Sequence, residues 1–168
     1  MGDVKNLTST EAVEKLKEII KDTKTCLFVT RLQDVPLAAR PMSSLDVDDD
    51  GNIYFFSKAG SEKNVDIEAD EKVQLFYSNN SGYEYLSVYG KAEILKDREL
   101  AHDLWTPIAK TWFNEGKDDP TLTIIKVIPH DAYYWDTKSN KLVSLVKILA
   151  GAVTGNSFDD SVQGFIKV

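Results

Sequence analysis

One basic and aromatic cluster in this sequence could hold a phosphate beside a flat ring. Arg40 and Lys63 are cations in an otherwise acidic chain, and between them lie an apolar strand and a Ser/Gly loop that opens onto a helix. A phosphomonoester prefers a planar guanidinium, a mobile ammonium, hydroxyl donors and free backbone N–H groups. Arg40, Lys63, the hydroxyls of Ser57 and Ser61, and the start of the helix would supply them. This combination indicates a flavin.

The same residues also have a plainer interpretation. Ser61 could simply cap a helix, Lys63 could be a solvated surface charge, and Arg40 could be an ordinary charge at a strand edge. Residue spacing alone leaves both interpretations open.

Short strands joined by turns must position the cluster. Runs rich in β-branched and aromatic residues predict strands at 25–30, 37–46, 52–58, 73–77, 85–95 (broken at Gly90) and 122–135 (Pro129 at a kink or edge). Helical spacing of apolar residues predicts helices at 9–22, 61–70 (with Ser61 as N-cap), 97–115 (interrupted at Thr106-Pro107) and about 142–149. The Asp50-Gly51 turn predicts a hairpin of strands 37–46 and 52–58, which would make Arg40 and Ser57 neighbours.

These elements predict a mainly β (α+β) fold, a six-stranded antiparallel barrel with peripheral helices. The sequence has no internal repeat and no linker. We therefore expect a single domain over residues 1–168, with a core at about 10–155 and a polar C-terminal tail.

Composition and charge exclude several classes of partner. The net charge of −7 over 168 residues argues against nucleic acid and anionic membranes, which both need a basic surface. Cys26 is the only cysteine, so no internal disulfide can form, and the start of the chain lacks the apolar core of a signal peptide. A cytoplasmic location is expected.

Several familiar kinds of chemistry are missing. The glycines form neither a dinucleotide-binding fingerprint nor a P-loop, and the run from Asp46 to Gly51 lacks the glutamate that ends a calcium loop. Cys26, His102 and His130 have no metal-ligand spacing, so no metal site is expected. No residue stands out as catalytic, which favours a protein that borrows a cofactor.

Six motifs in order resemble the pyridoxamine 5′-phosphate oxidase-like family of FMN-binding split barrels, and two of them resemble its general stress protein 26 branch. The three motifs of the flavin-binding half are Ala39-Arg40-Pro41-Met42-Ser43, Tyr54-Phe55-Phe56-Ser57 and Ser61-Glu62-Lys63. Residues 86–93 resemble the family's central strand. The stress-protein motifs are the segments 112–120 and 133–136.

This resemblance implies a split barrel that binds FMN at a homodimer interface. The implied phosphate ligands are Arg40, Ser61 and Lys63, with Ser57 close by. Backbone groups of residues 41–43 would line the isoalloxazine edge, with Phe56 alongside. The cofactor-binding candidates are therefore Arg40, Pro41, Met42, Ser43, Phe56, Ser57, Ser61 and Lys63, with Tyr85, Trp112 and Trp135 as candidates to complete the site.

The chain departs from the true oxidases of that family. Leu45 stands where those enzymes have a substrate-binding lysine, Glu62 replaces a basic residue of the phosphate loop, and no arginine follows Arg98. We therefore expect a stress-related flavoprotein, a flavin-dependent oxidoreductase of unknown substrate that does not oxidise pyridoxine phosphate. The alternatives are a non-catalytic flavin-binding or flavin-buffering protein, and a related barrel that uses deazaflavin or haem.

Overall fold

The computed structural model describes residues 3–4, 7–137 and 161–167. The strands of this part are β1 (Asp3–Val4), β2 (Leu7–Thr8), β3 (Thr25–Thr30), β4 (Ala38–Ser43), β5 (Asp46–Val47), β6 (Ile53–Lys58), β7 (Lys72–Asn79), β8 (Glu84–Leu95), β9 (Leu122–Thr137) and β10 (Ser161–Lys167). Its helices are α1 (Ser9–Thr23), α2 (Glu62–Ala69) and α3 (Arg98–Asp103), with 3-10 helices at Pro107–Thr111 and Gly116–Asp118.

All ten strands of the described residues belong to one curled sheet. Its antiparallel path runs β4-β3-β7-β8-β9-β6-β5. Strand β10 also pairs with β9, at residues 132–137, past the part of β9 that pairs with β6. Strands β4 and β5 are only two residues apart in the chain yet lie at opposite ends of this path. The sheet must therefore curl until its ends approach each other, which produces a split barrel and confirms the predicted fold class.

The core lies inside the curl and is covered on one side by α1. Ala12, Leu16 and Ile19 recur at helical spacing on α1 and are fully buried. Inside the barrel, the rings of Phe28 and Phe55 meet edge to face with their centroids 5.2 Å apart. These contacts hold β3 and β6, which flank the candidate site, in a fixed relation.

The long strands β8 and β9 change register at Gly90, where the sequence predicts a break. Gly90 pairs with Pro129, and a β-carbon on Gly90 would lie 2.3 Å from the carbonyl oxygen of Ile128. On the far side of β9, β6 pairs with residues 122–127 and β10 with 132–137. Pro129 lies between the segments of β9 that pair with β6 and with β10, so the absence of its N–H removes no hydrogen bond to either of these strands.

The predicted strand 37–46 is divided in the structure, and the predicted pairing of Arg40 with Ser57 is wrong. Strand β4 pairs with β3, so that Arg40 lies opposite Phe28, and only β5 forms the hairpin with β6. The backbone turns away between the two, because the Ser44 N–H donates to Lys24 and the Leu45 N–H donates to Tyr54. Ser57 pairs instead with Thr123 of β9.

Further differences concern the second half of the chain. Only Arg98–Asp103 of the predicted helix 97–115 is α-helical; Pro107 keeps the preceding Thr106 extended, and a separate 3-10 helix follows at Pro107–Thr111. The predicted helix at 142–149 lies outside the described residues. The sequence pattern did not predict β10, which lies in the expected polar tail. No helix of the described residues is long and apolar enough to cross a membrane.

Candidate functional site

Arg40 is held in place by a buried polar pair. One guanidinium nitrogen donates to the Thr30 hydroxyl at 2.8 Å, and another lies 3.4 Å from a carboxylate oxygen of Asp66. The Thr30 hydroxyl donates to the same oxygen at 2.6 Å, and both Thr30 and Asp66 are buried. The guanidinium therefore has a fixed position between β4 and α2, while some of its five donors stay free for a further acceptor.

Lys63 brings a second positive charge to the same place. It lies one turn before Asp66 on α2 and is half-buried. Burial lowers the pKa of its ammonium, and the charge of Arg40 lowers it further. Two cations that disfavour each other in this way are stabilised by an anion bound between them. Arg40 and Lys63, which are 23 positions apart in the sequence, are therefore candidates to hold an anion between them, and we call them the anion-binding pair.

The first turn of α2 adds backbone donors to this pair. Ser61 is the N-cap residue, as predicted, but its hydroxyl donates to the side chain of Asn64 at 3.2 Å and makes no capping bond to the backbone. The first intrahelical bond runs from the Val65 N–H to the Ser61 carbonyl. The N–H groups at the start of a helix have no intrahelical acceptor and attract anions.

Ser57 supports the site from inside the barrel. It is buried, and its hydroxyl lies 2.7 Å from that of Thr123. Asn64 donates to Thr123 at 3.0 Å and accepts from Ser61, so four side chains link β6 and β9 to the start of α2. Because its hydroxyl is engaged in this network, Ser57 acts on the α2 loop through Thr123 and Asn64.

Phe56 lies on the opposite face of β6 from Ser57, since side chains alternate along a strand. Its ring packs against Trp105 and Phe113, with centroid distances of 5.9 and 6.0 Å. These contacts place Phe56 in an aromatic cluster with the segment after α3. These contacts give Phe56 a structural role in anchoring that segment, whereas the resemblance implies a position beside the flavin ring.

The residues expected at the ring edge lie on a strand with a free edge. Among the described strands, β4 pairs only with β3. Pro41 and Ser43 are exposed, and Met42 between them is buried in the core. The backbone groups on the unpaired side of an edge strand are open to an added partner, so residues 41–43 can offer hydrogen bonds to the rim of a planar ligand.

The three remaining aromatic candidates do not surround Arg40 within this chain. Tyr85 and Trp135 are opposite each other on β8 and β9 and are partly exposed on the outside of the sheet. Trp112 follows the 3-10 helix 107–111 and is also exposed. A single subunit thus leaves all three available to a ligand or to another chain.

Comparison with known proteins identifies the family. The family model described as "Pyridoxamine 5′-phosphate oxidase like" matches residues 11–159. The chain belongs to this family. The predicted resemblance is thereby confirmed, and the match extends over most of the barrel.

Relatives and solved structures agree with this assignment. The chain is 27% identical to Protein bli-3 of Neurospora crassa over 80% of this chain, but it spans only 65% of that protein. It is 31% identical to general stress protein 26 of Bacillus subtilis over 55% of this chain and 68% of that protein. A general stress protein 26 from Jannaschia sp. CCS1 superimposes with a TM-score of 0.80 at 22% identity (94% of this chain, 99% of the other). A general stress FMN/FAD-binding protein from Xanthomonas citri superimposes with a TM-score of 0.66 at 23% identity (77% and 92%).

Sequence reasoning missed the buried partners that hold this family site together. Thr30, Asp66, Asn64 and Thr123 belong to no motif that the sequence shows, and the sequence alone does not reveal that these four polar side chains are buried. One signal was present, because Asp66 follows Lys63 by three residues and so shares its helix face. Thr30 and Thr123 could be found only from the strand pairing.

Two other groups of titratable residues are already satisfied. Carboxylate oxygens of Glu18, Glu84 and Asp136 come within 4.8 Å of one another, but the Lys15 ammonium contacts Glu18 and Asp136 and supplies the positive charge there. Burial raises the pKa of the Cys26 thiol to about 12, so this cysteine is neutral and unreactive at physiological pH.

Proposed function

We propose that this protein binds flavin mononucleotide as its cofactor, with the phosphate held by Arg40, Lys63 and the first turn of α2. The observation that carries the proposal is the anion-binding pair itself, two cations brought together by the fold in a chain of net charge −7. Membership of the oxidase-like family and the likeness to an FMN/FAD-binding protein support it.

The residues present suit a phosphate dianion. Arg40 offers planar donors whose orientation is set by Thr30 and Asp66, and Lys63 offers a mobile charge. Asp66 neutralises part of this charge, so that the folded protein can hold the two cations near each other without a bound anion. A phosphate would complete the compensation with charge-assisted hydrogen bonds.

The flavin ring is assigned to the free edge of β4. Residues 41–43 extend directly from Arg40, so a cofactor anchored at its phosphate can lie along them. When bound, the flavin supplies electron and hydride transfer, and the protein contributes binding and orientation. In this assignment β4 positions the ring, while the buried network of Ser57, Asn64 and Thr123 keeps the phosphate loop rigid.

We also propose that two copies of the chain form the working unit. A row of outward-facing residues crosses six neighbouring strands, from β4 to β10, through directly paired positions, and we call it the outer-face row: Pro41, Leu27, Phe76, Ser87, Tyr133 and Phe165. Leu27, Phe76 and Phe165 are 51%, 45% and 51% exposed. Several exposed apolar side chains in one row, interrupted only by Ser87, are consistent with an interface. The row ends at Pro41, so a second subunit seated on it would reach the proposed ring site.

The assignment is tested by titrating the purified protein with FMN and with riboflavin, which lacks the phosphate. Bound FMN should survive gel filtration and show flavin absorption. Arg40→Ala and Lys63→Ala should each weaken FMN binding about tenfold to a hundredfold, since a charge-assisted hydrogen bond contributes roughly 1.5–3 kcal/mol. Riboflavin affinity should change little. Wild-type FMN affinity in both variants would refute the phosphate assignment.

A flavin-binding protein without turnover is the second candidate. Two observations support this candidate. The described partners of Arg40 are a threonine and an aspartate, and the only cysteine of the chain is buried. Among the described contacts of Arg40, therefore, no histidine or thiol is in place for acid–base chemistry. Stopped-flow reduction of the bound flavin by nicotinamide donors separates the two candidates, because only an oxidoreductase turns over. We expect no turnover with pyridoxine 5′-phosphate under oxygen, since no arginine after Arg98 is present to bind its phosphate.

A further inference from the structure

A groove of about 750 Å³ lies beside the end of β4 that carries Ser43. One wall is formed by α1 and the residues just after it, and the other by segment 43–47 and the loop that contains Thr106 and Ile108. The groove is separate from the anion-binding pair, since neither Arg40 nor Lys63 lines it.

The α1 wall of the groove is positively charged. Lys17 and Lys21 are four residues apart on α1 and project from the same side of the helix, and Lys24, just after the end of α1, also lines the groove. Lys17 pairs with Asp49 at 2.6 Å, while the described residues provide no carboxylate partner for Lys21 or Lys24. Asp46 is the acidic residue in the lining. Because Lys17 is compensated by Asp49 and lies near Asp46, the positive charge that the groove can offer an anion comes from Lys21 and Lys24.

The floor of the groove is apolar, and the opposite wall carries the apolar side chains Leu45 and Ile108 among polar ones. Ile20 and Val47 are buried at the base, and Leu45 lies between the strands β4 and β5. Ile108 contributes to the rim and is 67% exposed, so its side chain is accessible to a ligand in the groove. A bound anion with no apolar part would leave this wall uncovered.

We propose that the groove binds a small organic anion with an apolar body, an aromatic or aliphatic carboxylate or sulfonate, whose acid group is held by Lys21 and Lys24 and whose body contacts Leu45 and Ile108. The groove reaches Ser43, which the proposed function places at the flavin edge. On that proposed function the bound anion lies beside the ring, and it represents the substrate class of the site.

The probe is 8-anilinonaphthalene-1-sulfonate, with uncharged N-phenyl-1-naphthylamine as its counterpart without the sulfonate. Fluorescence titrations compare the full-length wild type, Lys21→Glu/Lys24→Glu and the control Lys72→Glu, an exposed lysine on β7 that does not line the groove. Reversal of two exposed charges should weaken sulfonate binding about tenfold in the double variant, while Lys72→Glu and the neutral probe remain near wild type.

Several outcomes would overturn the proposal. Unchanged sulfonate affinity in the double variant would exclude Lys21 and Lys24 as the groups that bind the sulfonate. An equal loss of affinity in Lys72→Glu would show that the effect comes from the net charge of the protein. An equal loss of the neutral probe would show that the charges are not the determinant. If circular dichroism shows that the double variant is unfolded, Lys21→Gln/Lys24→Gln takes its place, with a smaller loss of the same sign.

A second arm with FMN separates this inference from the proposed function. Addition of the sulfonate to the FMN-loaded wild type should shift the visible flavin band, and the double variant should show the shift only at higher probe concentration. If FMN does not bind but lysine-dependent sulfonate binding persists, the proposed function fails and the groove site stands. If FMN binds but its visible band does not shift when the sulfonate binds, the proposal that the groove holds the substrate is overturned.

Discussion

The two cations of the anion-binding pair are held in different ways. Arg40 is oriented by Thr30 and Asp66 before any ligand arrives, so its donors keep one direction. Lys63 makes no ion pair among the described residues, and its charge is disfavoured by burial and by Arg40. Arg40 therefore provides geometry, whereas Lys63 responds to the charge of the ligand.

A pH dependence of FMN binding follows from Lys63. In the free protein the pKa of Lys63 lies below its usual value of 10.5, and a bound phosphate would raise it by stabilising the ammonium. Binding then takes up a proton, so FMN affinity should be constant at neutral pH and fall as the pH rises through the lowered pKa. Isothermal titration calorimetry over a pH series measures this fall.

The matched variant for that experiment is Lys63→Arg, because a guanidinium stays protonated throughout the range. Its FMN affinity should stay level where that of the wild type declines, and riboflavin affinity should show no difference between the two proteins. Superimposable pH profiles for wild type and Lys63→Arg would contradict the assignment of Lys63.

Asp66 gives a second prediction at this scale. Asp66→Asn leaves the Arg40 charge without its buried carboxylate and removes the charged acceptor of the Thr30 hydroxyl. The free energy of unfolding of the FMN-free protein should fall by about 1–3 kcal/mol. Urea denaturation measures it, with Glu68→Gln on the exposed side of the same helix as control. Equal midpoints in the two variants would show that Asp66 is not a buried support.

At the scale of elements, the site depends on how strands end and change partner. β4 stops pairing at Ser43, and its free edge remains open because the chain crosses directly to β5 at the other end of the sheet. The irregularity between β8 and β9 lies at Gly90, where the strands approach too closely for a side chain. Both features shape the barrel on which the candidate site is built.

Gly90→Ala tests this close approach. The added methyl group would lie 2.3 Å from a backbone oxygen of β9, which no rotamer change can relieve. We expect a loss of at least about 1–3 kcal/mol in the free energy of unfolding, as for overpacked cores. Thermal denaturation measures it, with the exposed neighbour Lys91→Ala as control. A melting temperature for Gly90→Ala equal to that of the control would contradict the pairing of Gly90 with Pro129.

At the scale of the whole molecule, the outer-face row is the surface through which we propose that two subunits associate. Phe76 lies at its middle and is 45% exposed. Phe76→Glu would place a charge at the centre of the proposed interface, where it could not be solvated in a dimer. Light scattering should report the 18.8 kDa monomer for this variant and twice that mass for the wild type.

The control for the dimer experiment is Val35→Glu. Val35 is an exposed apolar residue in the loop between β3 and β4, and it is not part of the outer-face row. This variant should remain dimeric. A monomeric wild type at micromolar concentration, or a dimeric Phe76→Glu protein, would contradict the assignment of this surface.

The sequence by itself determined the family and most of the elements. Alternating and helical apolar periods predicted β3, β4, β6, β7, β8 and β9 together with α1 and α2, because burial of one face is a local property of the pattern. The motif around Arg40 and the Ser61-Glu62-Lys63 loop indicated the anion-binding residues. Those signals depend only on neighbours in the chain.

Only the tertiary structure decided which strands meet and which side chains support the site. The pairing of β4 with β3 gave Arg40 its partners Thr30 and Asp66, where the hairpin pattern had predicted Ser57. Phe56 and Ser57 are adjacent in sequence but lie on opposite faces of β6, one in an aromatic cluster and one in a polar network. Contacts between residues far apart in sequence leave no periodic signal, since each partner satisfies its own local pattern equally well in several registers.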